Sequence, residues 1–128
     1  MLTVDCLFDV PRHQLKNYPN ANMFVTKTAG IWVPISTADF LGAAMQVSKG
    51  LISLGVKAGD RVAVASNNRV EWNVLDIAVQ QVGAILVPLY PNISESDYRF
   101  ILNDAGVERS GATTTSTMLD EYTQRFGD

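Results

Sequence analysis

The amino-acid sequence predicts an α/β fold, in which an N-terminal β-hairpin precedes repeated helix–strand units. These units form a partial parallel sheet with helices on both faces. Three amphipathic helical patterns each end at a glycine, namely Gly55, Gly83 and Gly106, and glycine readily adopts the left-handed conformation that closes a helix. Apolar stretches typical of buried parallel strands follow the first two glycines. Successive units of this kind are joined by right-handed crossovers.

The N-terminal residues predict a short helix. Asp9 is followed by Val10 and Pro11, which is typical of a capping residue with a proline in the first helical turn. This helix should end before Pro19, because proline disfavours a helical conformation in the residue before it.

A β-hairpin should follow. Residues Met23–Thr28 and Ile31–Ser36 are rich in β-branched and aromatic side chains, and Ala29-Gly30 lies between them. Two such runs separated by a short glycine-containing turn predict an antiparallel pair. Pro34 favours an edge position for the second strand, since proline cannot donate a ladder hydrogen bond.

The first helix–strand unit begins at Ser36, which forms a capping-box pattern with Asp39. Its predicted apolar stripe consists of Phe40, Ala44, Val47, Leu51 and Leu54. Gly55 should end this helix, and Val56 can supply the hydrophobic contact that accompanies such an end. The strand Arg61–Ser66 has no polar face in its centre, which favours a central strand covered on both sides.

The second unit has the most apolar helix, predicted over Val70–Val82. It carries two rows of apolar side chains: Trp72, Leu75, Val79 and Val82 in one, and Val70, Val74 and Ile77 in the other. A helix this apolar around its circumference should be mostly buried. Gly83 ends it, and Ala84–Leu89 reads as a second apolar strand before the loop 90–93.

The third unit begins with the cap Ser94 and Asp97 and ends at Gly106. Its apolar stripe consists of Tyr98, Ile101, Leu102 and Ala105. A third strand is expected after Val107 and regains β-branched character only over residues 113–117. A last helix would follow, with Thr117 and Asp120 as caps and Leu119, Tyr122 and Phe126 on its apolar side.

Composition excludes several classes of protein. Hydrophobic residues make up 47% of the 128 and the net charge is −3, which excludes intrinsic disorder. The ten Lys and Arg residues form no cluster, so we expect no nucleic-acid partner. Cys6 is the one cysteine and His13 the one histidine, which excludes an internal disulfide and an ordinary zinc site. The N-terminus lacks a signal-peptide pattern, and the uncharged stretch 77–94 contains two prolines, so no transmembrane segment is expected.

Three separate segments carry motifs of a known family. Residues 55–63 read Gly-Val-Lys-Ala-Gly-Asp-Arg-Val-Ala. They resemble the Gly-Val-x-x-Gly-Asp-x-Val segment of AMP-forming adenylating enzymes, which include acyl-CoA synthetases, luciferases and peptide-synthetase adenylation domains. Residues 66–72, Ser-Asn-Asn-Arg-Val-Glu-Trp, are similar to the Ser-x-Asn-Arg-x-Glu-Trp loop of long-chain fatty-acid–CoA ligases. Residues 83–90, Gly-Ala-Ile-Leu-Val-Pro-Leu-Tyr, match the strand Gly-Ala-x-x-Val-Pro-x-Tyr of the same group. The resemblance covers roughly residues 5 to 107, and its segments occur in the family's order.

The resemblance implies the N-terminal fragment of an ATP-dependent long-chain fatty-acid–CoA ligase. Such an enzyme converts ATP and a fatty acid to an acyl-adenylate, and coenzyme A then takes the acyl group as a thioester. ATP, Mg and coenzyme A are implied for the full enzyme, whereas this chain alone is expected to bind none of them and to be inactive. The implied location is cytoplasmic, and peripheral membrane contact of the full enzyme stays open.

The same resemblance implies one partial domain over residues 1–128, the N-terminal segment of an AMP-binding domain. Residues 1–36 would form the short helix and hairpin, residues 37–107 the α/β units, and residues 108–128 a divergent tail.

The sequence assigns neither a catalytic residue nor a metal ligand. Weak candidates for cofactor binding are Asn68 and Arg69, after the first predicted parallel strand, and Tyr90, after the second, because open α/β sheets bind ligands at this edge. Arg69 could meet a phosphate, but pairing with Glu71 is its favoured role. Tyr90 could line an acyl or pantetheine channel, but a buried aromatic packed by its neighbouring prolines is favoured.

Two other patterns have ordinary structural interpretations. Residues 110–117 are rich in Ser and Thr like the family's phosphate loop, but they contain one glycine and no Pro-Lys-Gly follows. A polar loop or weak strand is therefore favoured, because a phosphate loop needs glycines that let backbone N–H groups converge. Glu71 and Asp76 should point to different faces of their helix, and Trp72 should lie in the core.

Two alternative functions stay open beside the ligase fragment. One is a non-catalytic α/β binding or interaction module derived from the same scaffold. The other is an adenylating enzyme for a different carboxylic acid. The apolar strands also predict self-association through an exposed sheet edge.

Overall fold

The structure is a computed structural model that describes residues 3–107. A single 3-10 turn, Leu7–Asp9, precedes the first helix. The helices are α1 (Val10–Asn17), α2 (Thr37–Ser53), α3 (Val70–Val82) and α4 (Glu95–Asp104), and the strands are β1 (Phe24–Thr28), β2 (Ile31–Ile35), β3 (Arg61–Ala65) and β4 (Ile85–Leu89). This order confirms the predicted α/β fold. The expected third parallel strand and last helix lie outside the described residues.

Strands β1 and β2 form the predicted antiparallel hairpin, with Thr28 paired to Ile31. Ala29 and Gly30 between them both have positive φ angles, 49° and 82°. A two-residue turn of this kind matches the right-handed twist of the flanking strands. Pro34 lies in a strand of a two-stranded sheet, so the predicted edge position is confirmed.

The base of the hairpin packs on the rest of the described chain. Phe24 and Ile35, which pair with each other across the two strands, contact the cluster around the buried Phe40. The rings of Phe24 and Phe40 lie 5.1 Å apart between centroids. This contact attaches the hairpin to the start of α2.

The N-terminal helix ends at Asn17, before Pro19, as predicted. Asp9 is the N-cap residue of α1, as predicted, but its side chain makes no capping hydrogen bond to this helix. Its carboxylate accepts a hydrogen bond from the backbone N–H of Cys6 at 3.1 Å. The 3-10 turn preceding α1 places Asp9 three residues after Cys6, which favours this reach backwards.

Helices α2 and α4 begin with the predicted serine caps. Ser36 Oγ accepts a hydrogen bond from the backbone N–H of Asp39 at 3.1 Å, and Ser94 Oγ accepts one from Asp97 at 3.2 Å. Each hydroxyl also donates to the carboxylate of the same aspartate, at 2.8 and 2.6 Å. The caps therefore satisfy N–H groups that the first turn of a helix leaves without a partner.

Helices α2, α3 and α4 end in the same way, at Gly55, Gly83 and Gly106, whose φ angles are 83°, 82° and 62°. The residue after each glycine donates its backbone N–H to the carbonyl five residues earlier, at 3.0 to 3.1 Å. The glycine itself donates to the carbonyl three residues earlier, at 2.9 to 3.1 Å. This double hydrogen bond is the Schellman motif. The three glycine-terminated helices predicted from the sequence are confirmed.

The two apolar rows of α3 pack into two separate clusters. One row joins the cluster Leu51, Val64, Leu75, Ala78, Val79 and Ala84. The other joins the cluster Phe40, Ala44, Val70, Val74 and Ile77. Helix α2 contributes to both clusters and packs along α3. The prediction that α3 is mostly buried is therefore confirmed.

One polar group lies between α2 and α3. The buried Ser48 Oγ is 3.0 Å from the carbonyl oxygen of Ala78 and 2.8 Å from Gln81 Oε1. This satisfies a hydroxyl that would otherwise be costly to bury. Leu54, expected at the end of the α2 stripe, is instead exposed, because it is the C-cap residue and the chain turns away at Gly55.

Strands β3 and β4 are parallel, with Val62 opposite Leu86 and Ala65 opposite Leu89. Two neighbouring residues of β3, Ala63 and Val64, are both buried although they point to opposite faces. The expected cover on both faces is therefore confirmed, whereas the central position of β3 in a larger sheet stays a prediction. Within residues 3–107, β3 and β4 pair only with each other, and the predicted self-association through a sheet edge stays a prediction.

We expect Gly83→Ala to lower the free energy of unfolding by about 1–2 kcal/mol, because the left-handed conformation is costly for a residue with a Cβ atom. The added Cβ would also lie 3.2 Å from Ala58 Cβ. Urea unfolding of the 128-residue chain, followed by circular dichroism, measures this change.

Gly42→Ala is the matched control. Gly42 lies inside α2, its added Cβ would meet nothing within 4 Å, and alanine has the higher helix propensity. This variant should raise the free energy of unfolding by up to about 1 kcal/mol. Equal effects of the two substitutions would contradict the assigned role of Gly83.

Candidate ligand site at the carboxyl edge of the parallel sheet

The carboxyl ends of β3 and β4 lie side by side, because Ala65 is paired with Leu89 in parallel register. The loop 66–69 leaves this edge towards α3, and the loop 90–94 leaves it towards α4. All three sequence-predicted candidates, Asn68, Arg69 and Tyr90, lie in these two loops. The parallel pairing brings the two loops to one edge of the sheet.

The loop after β3 is fixed through its backbone by the first turn of α3. The carbonyl of Arg69 accepts hydrogen bonds from the backbone N–H of Trp72 and from Asn73 Nδ2, both at 3.2 Å. The side chains of Asn68 and Arg69 remain exposed. The loop thus combines a held backbone with solvent-facing amide and guanidinium donors.

Arg69 adopts the favoured role predicted for it. Its Nε lies 3.7 Å from Glu71 Oε2, and the two side chains are 52% and 42% exposed. An ion pair this exposed contributes little to stability, because water screens it. Another anion can therefore replace Glu71 as the partner of the Arg69 guanidinium at little cost in stability.

The interpretation of Tyr90 as a buried aromatic was wrong, since this residue is 77% exposed. The strand ends at the buried Leu89, and the next residue already points away from the core. The carbonyl of Tyr90 accepts a hydrogen bond from the Tyr98 hydroxyl at 2.7 Å. Sequence analysis assigned Tyr98 only to an apolar stripe and missed this contact, although a tyrosine on a half-buried helix face commonly directs its hydroxyl to a nearby carbonyl.

The two acidic residues of α3 do not form a pair, as expected. Glu71 faces Arg69, whereas Asp76 Oδ1 accepts a hydrogen bond from Gln80 Nε2 at 3.0 Å. Trp72 is half-buried against the cluster that contains Val64, which confirms its expected place in the core.

The described residues do not form a phosphate cradle at this edge. The glycines of the described part of the chain lie in the hairpin turn, within α2, or at the ends of helices and the turn before β3. Loops that hold phosphate need glycines where backbone N–H groups converge, and the loops 66–69 and 90–94 contain none. The edge accordingly does not fit the phosphates of ATP by itself.

Within residues 3–107, no group of three or more His, Cys, Asp or Glu side chains could hold a metal ion. Over the same residues, no helix combines the length and apolar character needed to cross a bilayer. Residues 110–117, the Ser- and Thr-rich segment, lie outside the described part of the chain.

Comparison with known proteins gives a family match. Residues 11–119 match the family described as AMP-binding enzyme. The chain is 42% identical over 94 residues to the long-chain-fatty-acid–CoA ligase FadD15 of Mycobacterium tuberculosis, which is 72% of this chain and 16% of that protein. It is also 31% identical over 70 residues to the uncharacterized protein Rv1549 of the same organism, covering 55% of this chain and 40% of that protein.

Two solved structures share the fold. A putative long-chain-fatty-acid CoA ligase from Rhodopseudomonas palustris superposes with a TM-score of 0.66 at 34% identity, over 77% of this chain and 24% of that one. The N-terminal subdomain of Klebsiella oxytoca NpsA superposes with a TM-score of 0.71, over 92% of this chain and 31% of that one. At 19% identity, this second likeness concerns the fold alone. The chain spans less than a third of either solved structure and about a sixth of FadD15.

Proposed function

The chain belongs to the family of AMP-binding enzymes, and from this premise we propose that it is the N-terminal part of an AMP-forming long-chain fatty-acid–CoA ligase. The observation that carries the proposal is the 42% identity to FadD15 over 72% of the chain. The fold supports it, since the chain superposes on a putative long-chain-fatty-acid CoA ligase over 77% of its length. The motifs at residues 55–63, 66–72 and 83–90 lie within the described units.

In this proposal the whole enzyme uses ATP, Mg and coenzyme A. The fatty-acid carboxylate attacks the α-phosphate of ATP, pyrophosphate leaves, and the coenzyme A thiol then displaces AMP from the acyl-adenylate. The groups that activate these steps lie mainly in other parts of the enzyme. Residues 3–107 contribute chiefly the scaffold: the buried α2–α3 pair, the parallel strands, and two loops held at one edge of the sheet.

We propose that the boundaries expected from the sequence hold in the whole enzyme. Residues 1–36 form an attached helix and hairpin, residues 37–107 form the α/β units, and residues 108–128 form a divergent tail. In this arrangement Asn68, Arg69 and Tyr90 face a bound ligand from the carboxyl edge, as weak contacts supplementing those from other parts of the enzyme. Their exposure and the held loop backbones support this assignment.

A second candidate is a non-catalytic α/β binding or interaction module. It is favoured by one observation: the stretch aligned with Rv1549 makes up 40% of that protein, so a related sequence occurs in a much shorter chain than FadD15. An adenylating enzyme for a different acid is the third reading. The mouse medium-chain acyl-CoA ligase ACSF2, 31% identical over 61 residues, supports it less.

A chimera separates these candidates. In it, the matched segment of Mycobacterium tuberculosis FadD15 is replaced by the corresponding segment of this chain. We expect the chimera to keep fatty-acid-dependent exchange of labelled pyrophosphate into ATP and formation of long-chain acyl-CoA, because the segment supplies an equivalent scaffold. The isolated 128-residue chain should show neither activity.

The folding control is a second chimera in which this chain's segment carries Gly83→Ala, and the melting temperatures of both chimeras are compared with that of FadD15. A chimera that folds as stably as FadD15 but catalyses no exchange would contradict the ligase proposal and favour the module. Activity confined to medium-chain acids would contradict the long-chain substrate and favour an adenylating enzyme for a different acid. Turnover by the isolated chain would also overturn it.

The role of Arg69 is tested in the same chimera. If its guanidinium contacts a ligand phosphate, Arg69→Gln should lower kcat/KM by about tenfold, because charge-assisted hydrogen bonds are stronger than neutral ones. Glu71→Gln removes the ion-pair partner and leaves the guanidinium, so it should leave kcat/KM unchanged. Equal losses in the two variants would mean that the pair only shapes the loop.

A further inference from the structure

The tip of the β-hairpin, residues 25–33, exposes four large apolar side chains in the described part of the chain. All five residues of β2 are apolar, and the first four are exposed. The exposed fractions are 47% for Val25, 68% for Ile31, 64% for Trp32 and 43% for Val33. Exposed apolar residues this concentrated commonly mark a binding surface.

Both faces of the tip carry exposed apolar side chains beside polar ones. The strand register places Val25 and Trp32 on one face together with Lys27, and Ile31 and Val33 on the other together with Thr26 and Thr28. An antiparallel sheet that packs on one side normally has a polar second face. Neither face of the tip is polar throughout, so the tip is amphipathic on both sides.

The charge of this region favours an anionic partner. Lys27 is the only charged residue between Lys16 and Asp39, although the whole chain carries a net charge of −3. Its Nζ lies 5.4 Å from the centroid of the Trp32 ring. A tryptophan beside a lysine suits the boundary between lipid tails and headgroups, where the ring lies among the headgroups and the ammonium reaches phosphate.

The geometry allows the tip to be buried without unfolding the rest of the chain. Phe24 and Ile35 hold the hairpin base in the core, and the tight turn at Ala29-Gly30 projects beyond it. The outer edges of a two-stranded sheet keep unpaired backbone groups, which the hydrocarbon interior does not tolerate. Insertion is therefore limited to the depth of the headgroups and the first carbons of the tails.

We propose that the hairpin tip is a membrane-docking surface that binds anionic lipid bilayers peripherally. Val25, Ile31, Trp32 and Val33 enter the interface, and Lys27 pairs with lipid phosphate. This docking is independent of the proposed ligase function, because it requires neither ATP nor a catalytic residue. Vesicle binding tests the docking proposal, whereas acyl-CoA formation by the chimera tests the ligase proposal, so that one can fail without the other.

Co-sedimentation of the 128-residue chain with vesicles tests the proposal. With vesicles of phosphatidylcholine and phosphatidylglycerol at 3:1, the chain should bind, and the double variant I31S/W32S should bind about tenfold or more weakly, since it removes the largest apolar side chains of the tip. Lys27→Gln should weaken binding about fivefold on these vesicles, and hardly at all on phosphatidylcholine alone.

The matched control is I52S/F100S, which removes two exposed apolar side chains outside the tip. It should bind vesicles like the unaltered chain, and urea unfolding verifies that both double variants are folded. Absence of vesicle binding by the unaltered chain, or equal binding by the two double variants, would overturn the proposal. Light scattering would overturn the proposal in another way if the unaltered chain is a dimer, I31S/W32S is a monomer, and vesicle binding is the same for both. The tip would then be a dimer interface between two copies of this chain.

Discussion

Burial of α3 on two sides is the constraint on which the rest of the structure depends. One apolar row of α3 packs against β3 and α2, and the other packs against the start of α2 and the hairpin base. Both sets of contacts can form only if the chain reverses sharply after each helix. The Schellman motifs at Gly55 and Gly83 make these reversals. A parallel strand follows each of them, and the carboxyl ends of the two strands lie side by side.

Features that depend on local chemistry could be predicted from the sequence. The bounds of α3, the serine caps at Ser36 and Ser94 and the hairpin turn follow from short-range rules, since each needs only residues a few positions apart. Errors arose where a neighbouring element decided the outcome. The Asp9 carboxylate accepts a hydrogen bond from Cys6 N–H, in the 3-10 turn before α1, and not from α1 itself. Tyr90 is exposed because β4 ends one residue earlier, at Leu89.

The position of the three candidate residues in the fold was predictable, whereas ligand binding there stays a prediction. The predicted parallel strands place Asn68, Arg69 and Tyr90 in two loops at one edge of the sheet, the edge where open α/β sheets bind ligands. The contact between the Tyr98 hydroxyl and the Tyr90 carbonyl joins residues in different elements, so sequence spacing gave no indication of it. The same scaffold presents two distinct surfaces, the polar loops at the carboxyl edge and the exposed hairpin tip, because α3 and its clusters hold both in place.

Native-state hydrogen exchange of the 128-residue chain tests the central role of α3 most directly. If burial on two sides holds the fold together, the amides from Val74 to Val79 should exchange only through global unfolding, with an opening free energy equal to that from urea unfolding. The amides of the hairpin tip should exchange at much lower free energies in the same experiment. Exchange of the α3 amides as fast as those of the tip would contradict the account.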